Sequence, residues 1–405
     1  MTTLAPRRRV RGGWIGLLTL ANVGVWAAFF GPLNLLLGQQ AALFAPGNKE
    51  NVLALVTGLG AAVSVVANPL AGALSDRTRG RFGRRHPWTL GGALAGAAAL
   101  VLLSGANSVL TMAIGWCLVQ AAVNVALAAL TAEVPDHVPV DQRGVVGGWV
   151  GLAQMLGVLG GTALATAIGG IQWGYLGCAT LLVAAVLPFV VRSRDPGGAA
   201  KPRLRPGRTL ARFWVSPRAH PDFAWAWLTR FLLNLGNAFG TLYLLFFLTD
   251  AVRHPDPSTG VLILTSIYGV SMVATTVLAG RWSDRVGRRK VFVTAAAVVM
   301  AAALAVLMLW PVWPAVLVGT VVLGLGFGVY TSVDFALLTE VLPAEEDRAK
   351  DLGMINIASA LPQVLAPAAA APVLAYLGGY PALYGLAALV TLVGGLLVSR
   401  IRGVA

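Results

Sequence analysis

The chain has 405 residues, of which 57% are hydrophobic and only 11% are charged. A soluble domain usually carries about 25% charged residues, so this composition excludes an ordinary cytosolic enzyme, a disordered chain and a secreted disulfide scaffold. The formal net charge is +14, but the basic residues lie in gaps between apolar runs, which is typical of membrane topology and not of nucleic-acid binding. We therefore expect a polytopic membrane protein embedded in a lipid bilayer, with no nucleic acid as partner.

Twelve apolar runs are long enough to cross a bilayer, for which a helix needs roughly 20 residues. The first run is too long for the apolar core of a signal peptide, so we interpret it as an uncleaved span. The sequence thus predicts an all-α fold of twelve transmembrane helices. The predicted spans are residues 14–37, 51–75, 87–107, 109–132, 144–168, 172–191, 223–249, 260–282, 290–310, 313–338, 351–376 and 380–399.

The distribution of basic residues predicts the orientation of these spans. If the N-terminus is cytoplasmic, 27 of the 30 Lys and Arg residues fall in cytoplasmic segments. Lys49 and Arg253 then lie outside, and Arg230 lies within a span. Because basic loops stay in the cytoplasm, we expect both termini there. We also expect a monomeric protein of the inner or plasma membrane.

One long polar stretch divides the chain. Residues 192–222 contain eight basic residues together with several prolines and glycines, a composition that indicates a loop. We interpret this stretch as a cytoplasmic linker between an N-terminal six-helix bundle, residues 1–191, and a C-terminal six-helix bundle, residues 223–405.

A short motif occurs once in each half, after the second span of that half. The first copy is four residues longer than the second, and an acidic residue follows each copy, Glu133 in the first half and Glu340 in the second. The repeated positions are Gly72, Asp76, Arg77, Gly83, Arg84 and Arg85 in the first copy, and Gly280, Asp284, Arg285, Gly287, Arg288 and Arg289 in the second.

These motifs carry a resemblance to a known family. GALSDRTRGRFGRR (72–85) and GRWSDRVGRR (280–289) resemble the loop motif of the major facilitator superfamily and its second-half copy. The expanded form SDRTRGRFGRRHPW is similar to that of the sucrose-transporter-like and glycoside–pentoside–hexuronide symporter branch. The resemblance implies two parallel six-helix repeats that rock around a central site.

The resemblance also implies a role for the motif residues as latches that hold the cytoplasmic helix ends together in the outward-facing state. By the repeat, we place Asp76, Arg85 and Glu133 in one latch, and Asp284, Arg289 and Glu340 in the other. We expect Gly72 and Gly280 to let a neighbouring helix pack closely. The alternative is that the arginines only set the topology.

Two charged residues lie inside predicted spans, where a charge costs about 2.5–3.5 kcal/mol on insertion scales. Arg230 lies in span 7 and Asp334 in span 10, both in the cytoplasmic third, so they can pair. We interpret Asp334 as the cation-coupling carboxylate and Arg230 as part of the same site. A structural ion pair within the second half is the alternative.

Uncharged polar residues also lie in the spans, and several share a helix face. Amides both donate and accept hydrogen bonds, which suits hydroxyl-rich ligands, and an aromatic ring can stack on a sugar. Any single amide is better explained by hydrogen bonding between helices, so the set as a whole carries the prediction. The candidate substrate-binding residues are Asn22, Trp26, Gln120, Asn124, Gln154, Arg230, Asn234, Asn237, Asn356 and Gln363.

The expected function is secondary active transport of a small solute, a sugar or glycoside, together with H⁺, without catalytic residues, cofactor or metal. The sequence has no P-loop, which argues against direct use of ATP. Two alternatives stay open. A drug or metabolite exporter of the same superfamily is disfavoured because span 5 lacks a Gly-Pro pair and span 4 lacks a basic residue. A non-transporting solute sensor is disfavoured by the motifs in both halves.

Overall fold

The computed structural model describes residues 9–78, 82–139, 142–193, 220–286, 288–340 and 348–401. These residues form helices and loops and contain no β-strand, which confirms the predicted all-α fold. Within these ranges, eleven helical segments are long and apolar enough to cross a membrane, and a helix pair bent by 44° supplies a twelfth. The chain divides into two compact units, Met1–Pro202 and Arg203–Ala405. Most of the predicted linker lies outside the described residues.

The first unit begins with a long broken span. Its first part, α1, ends at Gly31, and a π-helical turn at Pro32–Leu36 leads into α2. This first span therefore reaches Phe44, beyond the predicted end at residue 37. The helices of the unit are α1 (Gly12–Gly31), α2 (Leu37–Phe44), α3 (Lys49–Ser75), α4 (His86–Ser104), α5 (Val109–His137), α6 (Arg143–Ile168) and α7 (Ile171–Arg192).

The second unit also begins with a broken span, in which the chain bends at Tyr243 between α8 and α9. Its fifth span, α13, contains Pro362, Pro367 and Pro372 and continues through all three as helix. The helices of the unit are α8 (Pro221–Leu242), α9 (Leu244–Asp250), α10 (Pro257–Val286), α11 (Arg289–Leu309), α12 (Trp313–Glu340), α13 (Arg348–Tyr376) and α14 (Gly379–Leu397).

The two units share one packing order. In the first unit α1 packs against α6 and α7, α3 against α5, and α4 against α5 and α7. In the second unit α8 packs against α13 and α14, α10 against α12, and α11 against α12 and α14. Corresponding helices thus have corresponding neighbours, and the repeat seen in the motifs extends to the whole six-helix arrangement.

Glycines set the closest helix contacts in both units. A Cβ built on Gly24 of α1 would lie 2.5 Å from the Cβ of Ala185 on α7, and one built on Gly236 of α8 would overlap Thr391 on α14. A Cβ on Gly161 of α6 would lie 2.5 Å from the backbone oxygen of Ala27 on α1. Since lipid tails give helices no hydrophobic reason to associate, such close backbone packing is what holds membrane helices together.

We expect Gly161→Ala to destabilise the protein by about 1–3 kcal/mol, because α6 must move away from the α1 backbone. The matched control is Gly160→Ala, where a new Cβ meets no atom within 4 Å. The control should be neutral or slightly stabilising, since alanine favours a helix over glycine. Thermal unfolding of the purified variants checks this, and equal midpoints would contradict the packing described.

Candidate functional site

An ion pair lies in the second unit between α8 and α12. Arg230 Nη1 contacts Asp334 Oδ2, and the Asp334 residue is only 5% exposed. The Nε of Arg230 donates a hydrogen bond of 2.7 Å to Ser359 Oγ on α13. The two charged residues singled out in the sequence therefore meet, and three helices converge on their pair.

Two asparagines extend this site along α8, one and two turns beyond Arg230. The Asn234 side-chain nitrogen donates to the Arg230 carbonyl at 2.8 Å and to the Tyr330 hydroxyl at 3.3 Å. The Tyr268 hydroxyl donates to Asn237 Oδ1 at 2.9 Å. Because these bonds use the amide nitrogen of Asn234 and the amide oxygen of Asn237, Asn234 keeps an acceptor and Asn237 keeps a donor. We call these residues, with Asp334 and Ser359, the unit-2 polar cluster.

The sequence analysis missed Tyr330, Tyr268 and Ser359. Tyr330 lies one helical turn from Asp334 on α12. That i, i+4 spacing could have identified it. Tyr268 and Ser359 gave no such signal, because hydroxyl side chains are common in apolar helices. Each of the two forms its hydrogen bond with a residue on another helix.

The amides of the first unit form a smaller group. Asn124 on α5 donates to the backbone oxygen of Gln120 at 2.9 Å and to its side-chain oxygen at 3.3 Å. Asn68 on α3, which was not a candidate, donates to Asn124 Oδ1 at 3.3 Å. Since Gln120 and Asn124 are both buried, this group connects two packed helices and carries no charge.

Among the described side chains, the remaining candidates lie apart from both groups. The amide of Asn22 donates to the Leu18 carbonyl of its own helix at 2.9 Å and is buried. Trp26 is half-buried and lies 5.8 Å from Phe30, centroid to centroid. Two glutamines, Gln154 on α6 and Gln363 on α13, are exposed, and the side chain of Asn356 lies outside the described residues.

The first copy of the loop motif forms a charged cluster around a buried arginine. Arg85 pairs with Asp76 at the end of α3 and, at 2.9 Å from Nε, with Asp136 on α5. Its Nη1 donates to Ser75 Oγ at 2.5 Å. Arg84 pairs with the other oxygen of Asp136 at 2.5 Å. We call Asp76, Arg84, Arg85 and Asp136 the motif cluster.

Two predictions about this first motif are wrong. Glu133 does not pair with Arg85. It lies beside His137 and His86, because Asp136, on the next turn of α5, occupies the arginine. Gly72 does not mark a close helix contact, since a Cβ built there would meet no atom within 4 Å.

Two other residues of the first motif have roles in the backbone around them. Arg77 donates a hydrogen bond to the Ala73 carbonyl, and Gly83 adopts a positive φ of 81° that favours glycine.

The second copy of the motif is described only in part. Arg285 and Arg288 are exposed, and Arg289 is half-buried at the start of α11. The second latch stays a prediction because its remaining members, Gly280, Asp284, Gly287 and Glu340, lie outside the residues whose side chains are described.

The electrostatics of the motif cluster favour a permanently charged arginine. Burial lowers the pKa of Arg85, but the hydrogen bonds and charges of Asp136 and Asp76 outweigh burial and raise that pKa above its usual value. Arg85 therefore acts as a fixed cation that joins α3, α4 and α5. Among the described residues, no group of three or more His, Cys, Asp or Glu side chains could hold a metal ion.

Comparison with known proteins identifies relatives of the whole chain. A profile of the Major Facilitator Superfamily matches residues 15–263 and 253–404. A general alpha-glucoside permease of Schizosaccharomyces pombe is 31% identical over 132 residues, which is 29% of this chain and 24% of that permease. The match therefore spans about a quarter of the length of that relative.

Solved structures share the fold at low sequence identity. The nucleoside transporter NupG superposes with a TM-score of 0.76 at 13% identity, covering 96% of this chain and 98% of its own. A D-xylose-proton symporter superposes with a TM-score of 0.70 at 17% identity, covering 95% and 96%. A peptide transporter of the POT family has a TM-score of 0.77 at 11% identity, with 95% of both chains covered.

Substitution of the buried arginine tests the motif cluster. Arg85→Gln leaves two carboxylates without their cation, and removing one partner of a buried pair costs about 3–5 kcal/mol. We expect a clearly lower thermal unfolding midpoint, part of which returns when Asp76→Asn and Asp136→Asn are added. The control is Arg288→Gln, an exposed arginine of the second motif. Equal midpoints for the two single variants would mean that these arginines only set topology.

Proposed function

Because the chain belongs to the Major Facilitator Superfamily, we propose that it is a secondary active transporter that carries a sugar or glycoside together with a proton. Two relatives support the solute class by name, an alpha-glucoside permease and a D-xylose-proton symporter. The fold alone does not select a sugar, because nucleoside and peptide transporters share it. The solute class therefore depends on the chemistry of the polar side chains.

The free hydrogen-bonding groups of the unit-2 polar cluster suit a polyhydroxylated ligand. Asn234 offers its amide oxygen as an acceptor, and Asn237 offers its amide nitrogen as a donor, one turn apart on α8. A sugar hydroxyl both donates and accepts, so adjacent hydroxyls can satisfy both amides. We propose that this face of α8 binds the solute.

Proton coupling is proposed at Asp334. Its carboxylate is buried and its counter-ion is Arg230, so a proton on Asp334 would remove the attraction that holds Arg230 in place. Asn234 donates to the Arg230 carbonyl and to the Tyr330 hydroxyl, and Arg230 pairs with Asp334, which links the solute-binding face to the proton-binding carboxylate. This link between Asn234 and Asp334 is the observation that carries the proposal of symport.

Orientation and location follow from the basic residues. We propose that both termini and the motif cluster face the cytoplasm, since this orientation would place 27 of the 30 basic residues on the cytoplasmic side. We further propose that the protein works as a monomer in the inner or plasma membrane. The motif cluster would then hold the cytoplasmic ends of α3, α4 and α5 together while the opposite side is open.

A thermal-shift screen of the purified protein tests the solute class. A ligand that binds the folded state raises its unfolding midpoint, and the shift grows with the ratio of ligand concentration to Kd. We expect α-glucosides such as methyl α-D-glucopyranoside to raise it, and Asn237→Ala to abolish the shift. A shift produced by uridine alone would favour a nucleoside as the solute and contradict the sugar assignment.

Transport by reconstituted protein tests the coupling role of Asp334. We expect Asp334→Asn to abolish proton-driven accumulation of labelled glucoside while counterflow exchange continues, because exchange needs no net proton movement. The control is Asp256→Asn, which changes an exposed carboxylate just before α10. Normal accumulation by Asp334→Asn would place coupling elsewhere.

The partner arginine separates coupling from a structural ion pair. Arg230→Ala should impair folding and exchange more than the double variant Arg230→Ala/Asp334→Ala, because the single change leaves a buried carboxylate unpaired. If the double variant accumulates glucoside against a gradient, the ion pair is structural only.

A further inference from the structure

A buried carboxylate near the end of α5 has no strong hydrogen bond. Glu133 is 1% exposed, and neither of its carboxylate oxygens has a hydrogen-bond partner of favourable geometry. An ionised carboxylate in such a place is costly unless a counter-charge is near. The charges around Glu133 therefore decide which protonation state this part of the first unit can hold.

The permanent cations that the structure describes near Glu133 already have partners. Arg85 pairs with Asp76 and Asp136, and Arg84 pairs with Asp136. These two cations and two carboxylates balance one another. Arg143, at the start of α6, donates to the carbonyls of Pro135 and Val138.

The neighbours of Glu133 that can become charged are two histidines. His137 Nδ1 lies 2.7 Å from Glu133 Oε2, and His86 Nε2 lies 3.8 Å from Oε1. His86 Nε2 also lies 2.9 Å from Ser193 Oγ. A histidine side chain usually changes charge between about pH 5 and 8, so the counter-charge of Glu133 depends on pH.

Helices packed around the histidines add aromatic rings. Trp14 of α1 lies 5.9 Å from the His137 ring, and Phe189 of α7 lies 5.6 Å from the His86 ring, centroid to centroid. Arg192 on α7 and Arg11, just before α1, are exposed. The rings shield the two imidazoles from water on the sides where α1 and α7 pack.

We propose that His86, Glu133 and His137 form a site for one exchangeable proton, carried by an imidazole and balanced by the Glu133 carboxylate. With the proton bound, the trio is neutral and the ends of α4, α5 and α7 pack around a satisfied ion pair. Without it, Glu133 is a buried charge without a counter-ion, and that packing is weakened. The proposal is independent of the transport function and of the unit-2 polar cluster.

Replacing the carboxylate tests the site through a change of sign with pH. At pH 5.5, Glu133→Gln removes an ion pair and should lower the unfolding midpoint of the purified full-length protein. At pH 8.5 it removes an uncompensated charge and should raise that midpoint. We expect Glu133→Gln to shift the unfolding midpoint by roughly 2–4 °C in each direction. The control Glu50→Gln, a partly exposed carboxylate at the start of α3, should show no change of sign.

Histidine substitutions complete the test. His86→Gln/His137→Gln should be less stable than the parent at pH 5.5 and equal to it at pH 8.5, where the imidazoles are neutral. His220→Gln, which changes an exposed histidine, should follow the parent at every pH. Adding Glu133→Gln to the double variant should remove the dependence on pH that the trio contributes.

Nuclear magnetic resonance locates the proton. The chain has four histidines, so ¹³Cε1 labelling gives four signals that single substitutions can assign. We expect Glu133→Gln to change the pH dependence of the His86 or His137 signal, read as the midpoint of its change with pH. Unchanged midpoints together with a stability effect of the same sign at both pH values would overturn the proposal. Unchanged midpoints with a change of sign would place the proton on the carboxylate and overturn the assignment to histidine.

Discussion

A charge that enters an apolar helix bundle must be balanced inside that bundle, and this constraint determines how the second unit is built. Arg230 and Asp334 would each cost about 2.5–3.5 kcal/mol alone in a membrane, and together they satisfy one another. Ser359 accepts a further hydrogen bond from Arg230, so α8, α12 and α13 are fixed around this pair. The free amide groups of α8 lie next to the pair because they share its helix face.

The helices of the two units pack in the same order, but the polar groups in the middle of the two units differ in charge. Corresponding helices pack in the same order, and Gly24 and Gly236 sit at corresponding contacts between the first and sixth spans. The polar group in the middle of the first unit is uncharged, whereas that of the second contains an ion pair. The repeated helices thus provide a common scaffold, and individual side chains give each unit its own chemistry.

The sequence predicted the elements that depend on bulk properties. Hydropathy predicted the spans, and rarity of charge within them predicted that Arg230 and Asp334 belong together. The prediction from sequence failed where two acidic residues compete for one arginine. The repeat placed Glu133 beside Arg85, but Asp136 on the next turn of α5 takes that position. A repeat specifies which residue types recur, and only the three-dimensional arrangement specifies which of them touch.

Proton movement that accompanies solute flow is the most direct test of the central claim that Asp334 couples the two. Proteoliposomes that contain a pH-sensitive dye are exposed to an inward gradient of methyl α-D-glucopyranoside with no initial pH difference. The account predicts that the parent protein acidifies the interior as the glucoside enters, and that Asp334→Asn admits the glucoside without acidification. Entry into the parent vesicles without acidification, or acidification by Asp334→Asn at the parent rate, would contradict it.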